Sequence, residues 1–183
     1  PKLQKLVPRG MPFGLRRLGP KAFGVLLYWL KRGAPGPSTQ VRAQLNTPSD
    51  PRAVAKWEDF FNGPSVQERL AARYLFEHTF FAHIYFPSND GEFFELIRSR
   101  TAPGEPIDPI ATKTIYADPG VERVYYRLRK VTSVLVSKQH ITWRFDDALM
   151  ARWRALFLET DWGADLKLSV YDEENPFETF AQI

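Results

Sequence analysis

Ser65-Val66-Gln67-Glu68, set directly after Gly63-Pro64, is the feature that most constrains this chain. A Ser followed three residues later by Glu lets each side chain satisfy the other residue's backbone N–H, which fixes a helix start. The helix it opens is predicted to run from Val66 to Phe86, where Pro87-Ser88-Asn89-Asp90-Gly91 stops it. That length is roughly 32 Å. A second start stands just upstream: Asp50 caps and Pro51 suits the first turn, giving a helix to about Asn62. Further on the period changes to two. Val124, Tyr126 and Leu128 alternate with Tyr125, Arg127 and Arg129, and Ile141, Trp143 and Phe145 alternate with His140, Thr142 and Arg144. With 112–116, these suggest a small antiparallel sheet, and 92–100 reads as strand or helix, with strand preferred. Asp146-Asp147 then starts a helix over Ala148–Leu158. The fold class is α+β, mainly helical.

Residues 1–20 are broken by Pro8, Gly10, Pro12, Gly14, Gly19 and Pro20, and a short helix follows over about Lys21–Arg32. The Pro/Ser/Thr-rich stretch 33–49 is the best internal boundary. Charge is uneven: residues 1–49 hold nine bases and no acid, and residues 159–183 hold one Lys and seven acids. A basic start suits anionic lipid or nucleic acid, or it meets the acidic end. The bases are scattered and no nucleic-acid motif is present, so no nucleic-acid partner is expected. The longest apolar stretch, Phe23–Leu30, has eight residues, where a spanning helix needs roughly 20. With no Cys, a disulfide framework and a thiolate-bound zinc or iron–sulfur site are excluded from this sequence. No signal peptide is visible, and a start at Pro1 suggests a processed chain or an excised segment.

Candidate chemistry is sparse. Glu77, His78 and His83 fall among aromatics on the predicted long helix, with Arg73 four residues before Glu77 and able to pair with it. His78 and His83, five apart, lie about 140° apart around a helix, which does not suit one metal ion. Either they donate to carbonyls in a packed helix, or each serves a separate role. His140 falls on the polar or site-facing side of its strand. Arg98 and Arg100, at spacing two, point the same way on a strand and could hold an anionic head group or pair on the surface. Met11, in the Gly/Pro loop Arg9-Gly-Met-Pro-Phe-Gly14, precedes a helix ending Trp29-Leu30-Lys-Arg-Gly33-Ala-Pro35. That phrase resembles the back half of a c-type cytochrome domain, in which the Met is a haem axial ligand; the alternative is an ordinary packing Met.

Five phrases occur in order: Tyr74-Leu-Phe-Glu-His-Thr-Phe-Phe-Ala-His-Ile-Tyr-Phe86, Phe93-Phe-Glu-Leu-Ile-Arg-Ser-Arg-Thr-Ala-Pro-Gly-Glu-Pro-Ile107, Tyr116-Ala-Asp-Pro-Gly120, Val124-Tyr-Tyr-Arg-Leu128 and Ala148-Leu-Met-Ala-Arg-Trp-Arg-Ala-Leu-Phe157. Together, from the Met11 loop to Phe180, they resemble the bacterial fatty acid cis–trans isomerases. The resemblance implies a periplasmic haem enzyme that converts cis double bonds of membrane phospholipid acyl chains to trans in place, ordering the bilayer under stress. It implies haem c as cofactor, with Met11 the candidate axial ligand. It implies peripheral membrane contact, and contact with the rest of a longer protein. The family's Cys-x-x-Cys-His attachment motif is absent, so the haem tether is expected upstream of Pro1. The chain then reads as an internal segment, inactive by itself. Residues 1–36 would be the C-terminal part of a cytochrome c-like domain, 37–49 a linker, and 50–183 an α+β domain continuing beyond residue 183. Glu77, His78, His83 and His140 are the candidates for the haem or substrate surroundings. Cytochrome-like electron transfer and simple lipid or partner binding are the alternatives.

Overall fold

The computed structural model describes residues 18–133, 141–163, 166–168, 171, 175 and 178–181. It divides into two compact units, Pro1–Arg42 and Ala43–Ile183. In the first, α1 (Pro20–Lys31) starts with Pro in its first turn and buries none of its residues. The Trp29 indole N–H donates to Pro35 O at 2.9 Å and folds the following Gly/Pro segment back on the helix end. The stretch read as a linker contains a helix of its own, α2 (Thr39–Asn46), which spans the boundary between the units. Ser38 supplies the start, its hydroxyl accepting from Val41 N.

In the second unit, α3 (Pro51–Phe61) is capped by Asp50, whose carboxylate accepts from Arg52 N and Ala53 N. The box at α4 (Val66–Thr79) closes as the sequence requires: Ser65 Oγ accepts from Glu68 N at 3.2 Å, and Ser65 N donates to Glu68 Oε2 at 2.9 Å. A Cβ at Gly63 would meet the Glu68 carboxylate, which would have to shift within the box.

The helix ends seven residues before the predicted Phe86. Thr79, fully buried, donates its hydroxyl to Leu75 O, and the chain turns at Phe80-Phe81 into β1 (Ala82–Tyr85). Burial then alternates: Ala82 and Ile84 enter the core, while His83 and Tyr85 face the other way. The aromatic and β-branched run 80–86 prefers a pleated, half-buried surface to a helix, and two neighbouring strands are present to pair with it. β2 (Phe94–Ser99) forms where a strand was expected. β3 (Tyr125–Lys130), β4 (Ile141–Arg144) and α5 (Asp147–Phe157) follow. Residues 112–116 lie outside the named strands.

Among the described residues the sheet has the order β3-β2-β1-β4. It is mixed, not antiparallel: β1–β2 and β2–β3 are antiparallel, and β1–β4 is parallel. The parallel pair arises because β4 returns to the free edge of β1 only after a long crossover through β2, β3 and the loops. Helices α3, α4 and α5 share one core with the sheet's inner face. Its centre is aromatic, with Trp57 4.2 Å from Phe145 and edge-on to Trp153 at 5.6 Å. Helix α3 also closes the outer edge of β3. The Asn62 amide accepts from Tyr126 N and donates to Tyr126 O, and Glu58 Oε1 accepts from Leu128 N. An unpaired strand edge is thus covered by side chains.

Candidate functional site

Staggered strand lengths open the first part of the site. The single β1–β2 register pair is Ile84 with Phe94, which places Leu96–Arg98 opposite 80–82, where the chain swings out of β1. The segment 110–117 runs along that exposed stretch and is stapled to it. Ile110 N donates to Arg98 O at 2.9 Å, and the Arg98 guanidinium donates to Ala117 O at 3.0 Å and to the Thr112 hydroxyl. The result is an open groove of about 600 Å³. Phe76, Phe80, Ile97, Ile110 and Ile115 give it an apolar lining, and Lys113, Glu95 and Arg129 give it charge.

Behind the groove lies a buried polar network. Arg73 Nε donates to Glu77 Oε1 at 2.8 Å, both side chains nearly inaccessible. The Arg73 guanidinium stacks on the Tyr171 ring at 3.9 Å. The Arg98 guanidinium lies over Phe76 at 5.5 Å, and Phe76 in turn meets Tyr126 at 5.3 Å. Burial pushes the Tyr126 phenol far above its ordinary value; Tyr171 and Glu77 add to the shift, while Arg73 and Arg98 oppose it in part. Burial raises Tyr171 as well, again with Arg73 and Arg98 opposing. Both phenols therefore stay protonated near neutral pH and act as neutral donors, not as bases. On the far side of Tyr126 a cavity of about 200 Å³ is lined by Arg69, Arg73, Arg123, Tyr126 and Tyr171 among apolar residues.

The structure brings two of the sequence candidates, Glu77 and Arg98, to this network. It places the others apart. His78, exposed at the end of α4, donates its Nδ1 proton to Tyr74 O at 2.7 Å and packs its ring on Tyr74. His83 lies on the outer face of the sheet, its Nε2 3.8 Å from Glu95 Oε1, and the other Glu95 oxygen accepts from Arg129 at 2.7 Å. The two histidines thus belong to different elements and different faces. Arg100 is exposed beside Asp108 and donates to Pro109 O, so it does not share an anion with Arg98, whose buried guanidinium holds the 110–117 loop. Met11 and His140 lie outside the described residues.

Tyr126, Tyr171, Lys113 and Glu95 were not singled out from the sequence. Tyr126 carried a usable signal, since it sits on a strand whose period was legible; Glu95 lies in a stretch that read as strand or helix, and Tyr171 carried none. Neither opening contains a histidine or a methionine, and among the described residues no three His, Cys, Asp or Glu side chains gather as a metal would need. These residues do not fit a haem iron. They fit a long apolar chain: a groove with an apolar wall, charge at its margin, and room for a change of shape.

No curated protein and no solved structure matches the chain. The family profile described as fatty acid cis/trans isomerase (CTI) matches residues 3–183. A substrate of that class is an apolar chain with a single polar end, and a match over that extent means that the chain belongs to the fatty acid cis/trans isomerase family.

Proposed function

We propose that this chain forms the acyl-chain-holding part of a haem-dependent isomerase, periplasmic and peripheral to the membrane, that turns cis double bonds of phospholipid acyl chains to trans in place under membrane stress. The observation that carries the reading is the family match across residues 3–183, and the open apolar groove supplies it with a physical seat. A cis chain is bent and a trans chain is straight. A groove open along one side accepts both shapes, where an enclosed cavity fitted to one would reject the other. Phe76, Phe80, Ile97, Ile110 and Ile115 exclude water from the chain. Lys113 at the margin is placed to attract an anionic head group, while Arg129 beside it is held by Glu95. The haem belongs to the part of the reading drawn from resemblance: Met11 and the residues before it would supply the iron's surroundings, and no step is assigned through it to the described residues.

The test is a lipid assay on the complete protein, loaded with haem. It is incubated with cis-unsaturated phospholipid, and the acyl chains are analysed by gas chromatography. Trans chains still esterified to phospholipid are expected; their absence from haem-loaded enzyme rejects the reading. Met11→Ala should shift the haem absorption spectrum, and an unchanged spectrum removes Met11 as a ligand.

A further inference from the structure

The cavity on the far side of Tyr126 is lined by more hydrogen-bond donors than the protein itself engages. Its volume is about 200 Å³, against about 30 Å³ for each molecule of liquid water, so it has room for one small solute. Arg69 and Arg73 stand four residues apart on α4 and share one face of it. Arg123 reaches the cavity from the residues before β3. The cavity shares no lining residue with the acyl groove.

The three guanidinium groups are engaged to different degrees. Arg73 is paired with Glu77 at 2.8 Å and stacks on Tyr171. Arg123 donates from one nitrogen to Asn62 O at 3.1 Å and lies over the Tyr125 ring, and among the described residues no carboxylate pairs with it. Arg69 is half-buried, and its side chain makes no hydrogen bond or ion pair among the described residues. Tyr126 is 5 % exposed, yet its hydroxyl has no hydrogen-bond partner among them either. Tyr171 and Arg73, the two ionisable groups that act most strongly on that phenol, line the same cavity. A buried tyrosine hydroxyl ordinarily has a partner, and here the place for one is the cavity.

The charge around the cavity indicates what fits. With Arg73 balanced by Glu77, the described lining keeps Arg69 and Arg123 against a single acid, the exposed Glu122. One positive charge is left over, which matches a monoanion and rejects a cation. A guanidinium fork suits the paired oxygens of a carboxylate or a phosphate ester, and a protonated phenol adds a neutral donor. We propose that this cavity binds a singly charged oxyanion, a carboxylate or a phosphodiester, with Arg69 and Arg123 as its cationic contacts and the Tyr126 hydroxyl as a further donor. The site stands apart from the groove, and the isomerase reading is not needed for it.

The experiment is calorimetric titration of the complete protein at low salt with butyrate, with dimethyl phosphate and with soluble dibutyroylphosphatidylglycerol. Saturable binding of at least one of these is expected. It should weaken at least about tenfold in Arg69→Gln and in Arg123→Gln, as the loss of a charged hydrogen-bonding partner requires, and by a smaller factor in Tyr126→Phe. Binding of butyrate alone supports the site and makes its ligand a free carboxylate; binding of the two diesters alone supports it and makes the ligand a lipid head group. No saturable binding to the wild type overturns the proposal, and so does an affinity unchanged in Arg69→Gln. Should Arg123→Gln or Tyr126→Phe fail to fold, Arg69→Gln carries the test, because its side chain holds nothing in place. Thermal melting gives a second measurement. The bound oxyanion should raise the wild-type midpoint above that in chloride of equal ionic strength, and equal midpoints overturn the site. None of these readings depends on whether trans chains are formed, so the failure of one proposal leaves the other standing.

Discussion

Replacing Arg127 with Ala should destabilise the protein more than most single changes. Glu58 and Arg127 are 5 and 6 % exposed, and Arg127 Nε donates to Glu58 Oε2 at 2.9 Å. The same guanidinium donates to Ala102 O at 2.6 Å and to Glu105 O at 3.1 Å. One side chain therefore ties α3, β3 and the loop after β2 together. In Arg127→Ala the Glu58 carboxylate keeps the Leu128 N–H and loses its counter-charge. Leaving a buried charge unpaired in this way costs about 3–5 kcal/mol. The loop carbonyls add little, because Glu105 is exposed and water can replace the lost donors. Glu58→Gln should cost less, about 1–3 kcal/mol, because the amide oxygen can still accept from Leu128 N and the loop carbonyls still solvate the arginine. Urea unfolding followed by tryptophan fluorescence measures both, and a thermal scan should show Arg127→Ala melting about 6–20 °C lower. A cost below about 1 kcal/mol for Arg127→Ala would refute the claim that the pair is dry and closes the edge of β3.

Three further outcomes are expected. Ser65→Ala removes the capping box at α4 and should cost about 1 kcal/mol in the same urea experiment; no change would mean that the box adds nothing to a helix already fixed by packing. At Glu92, burial pushes the carboxyl up, but the Lys130 ammonium at 2.6 Å and the Ser49 N–H at 3.0 Å outweigh it and leave the value below the ordinary 4.5. A lowered folded value stabilises the protein above about pH 4.5, and that stability is lost as pH falls through the folded value. The advantage of wild type over Lys130→Met should accordingly be constant near neutrality and shrink on acidification below that value, and a gap independent of pH would contradict the pairing. Ala111→Trp places a large ring in the groove from an exposed position. Displacing about two methylenes of bound chain should raise KM for long acyl substrates about tenfold with kcat little changed; an unaltered KM would remove the groove from the substrate path.

The helix starts were legible in the sequence because each depends on a local bond between residues two or three apart, at Asp50, Ser65 and Asp146. The end of α4 was not. From Thr79 to Phe86 the pattern satisfies either a buried helix or a buried strand, and only pairing with β2 and β4 decides between them. The same limit hid the parallel pair, since alternation of side chains gives a strand its faces but not the direction of its neighbour. At the site, the Arg73–Glu77 pair was readable from spacing four on a helix. The partners that make it a network, Tyr126 and Tyr171, come from distant parts of the chain, and local spacing carries no sign of them. Arg98 shows the opposite case: its place on a strand was foreseen, while its work, holding the 110–117 loop, depends on a loop that has no periodicity to read.

The parallel pairing of β1 with β4 also bears on how the molecule comes together during synthesis. Ala82 and Ile141 are register partners 59 residues apart in the chain, and Trp153, which completes the aromatic core around Trp57, lies further on still. Contacts at that separation require a long loop to be closed before they return any energy. The helices α3 and α4 and the β2–β3 pair can form as soon as they leave the ribosome. Until α5 follows, Trp57, Phe60 and Phe61 lack the partner that closes over them. The last step of folding is thus bound to the last third of the chain, and until it is complete the nascent unit presents apolar surface to whatever holds it.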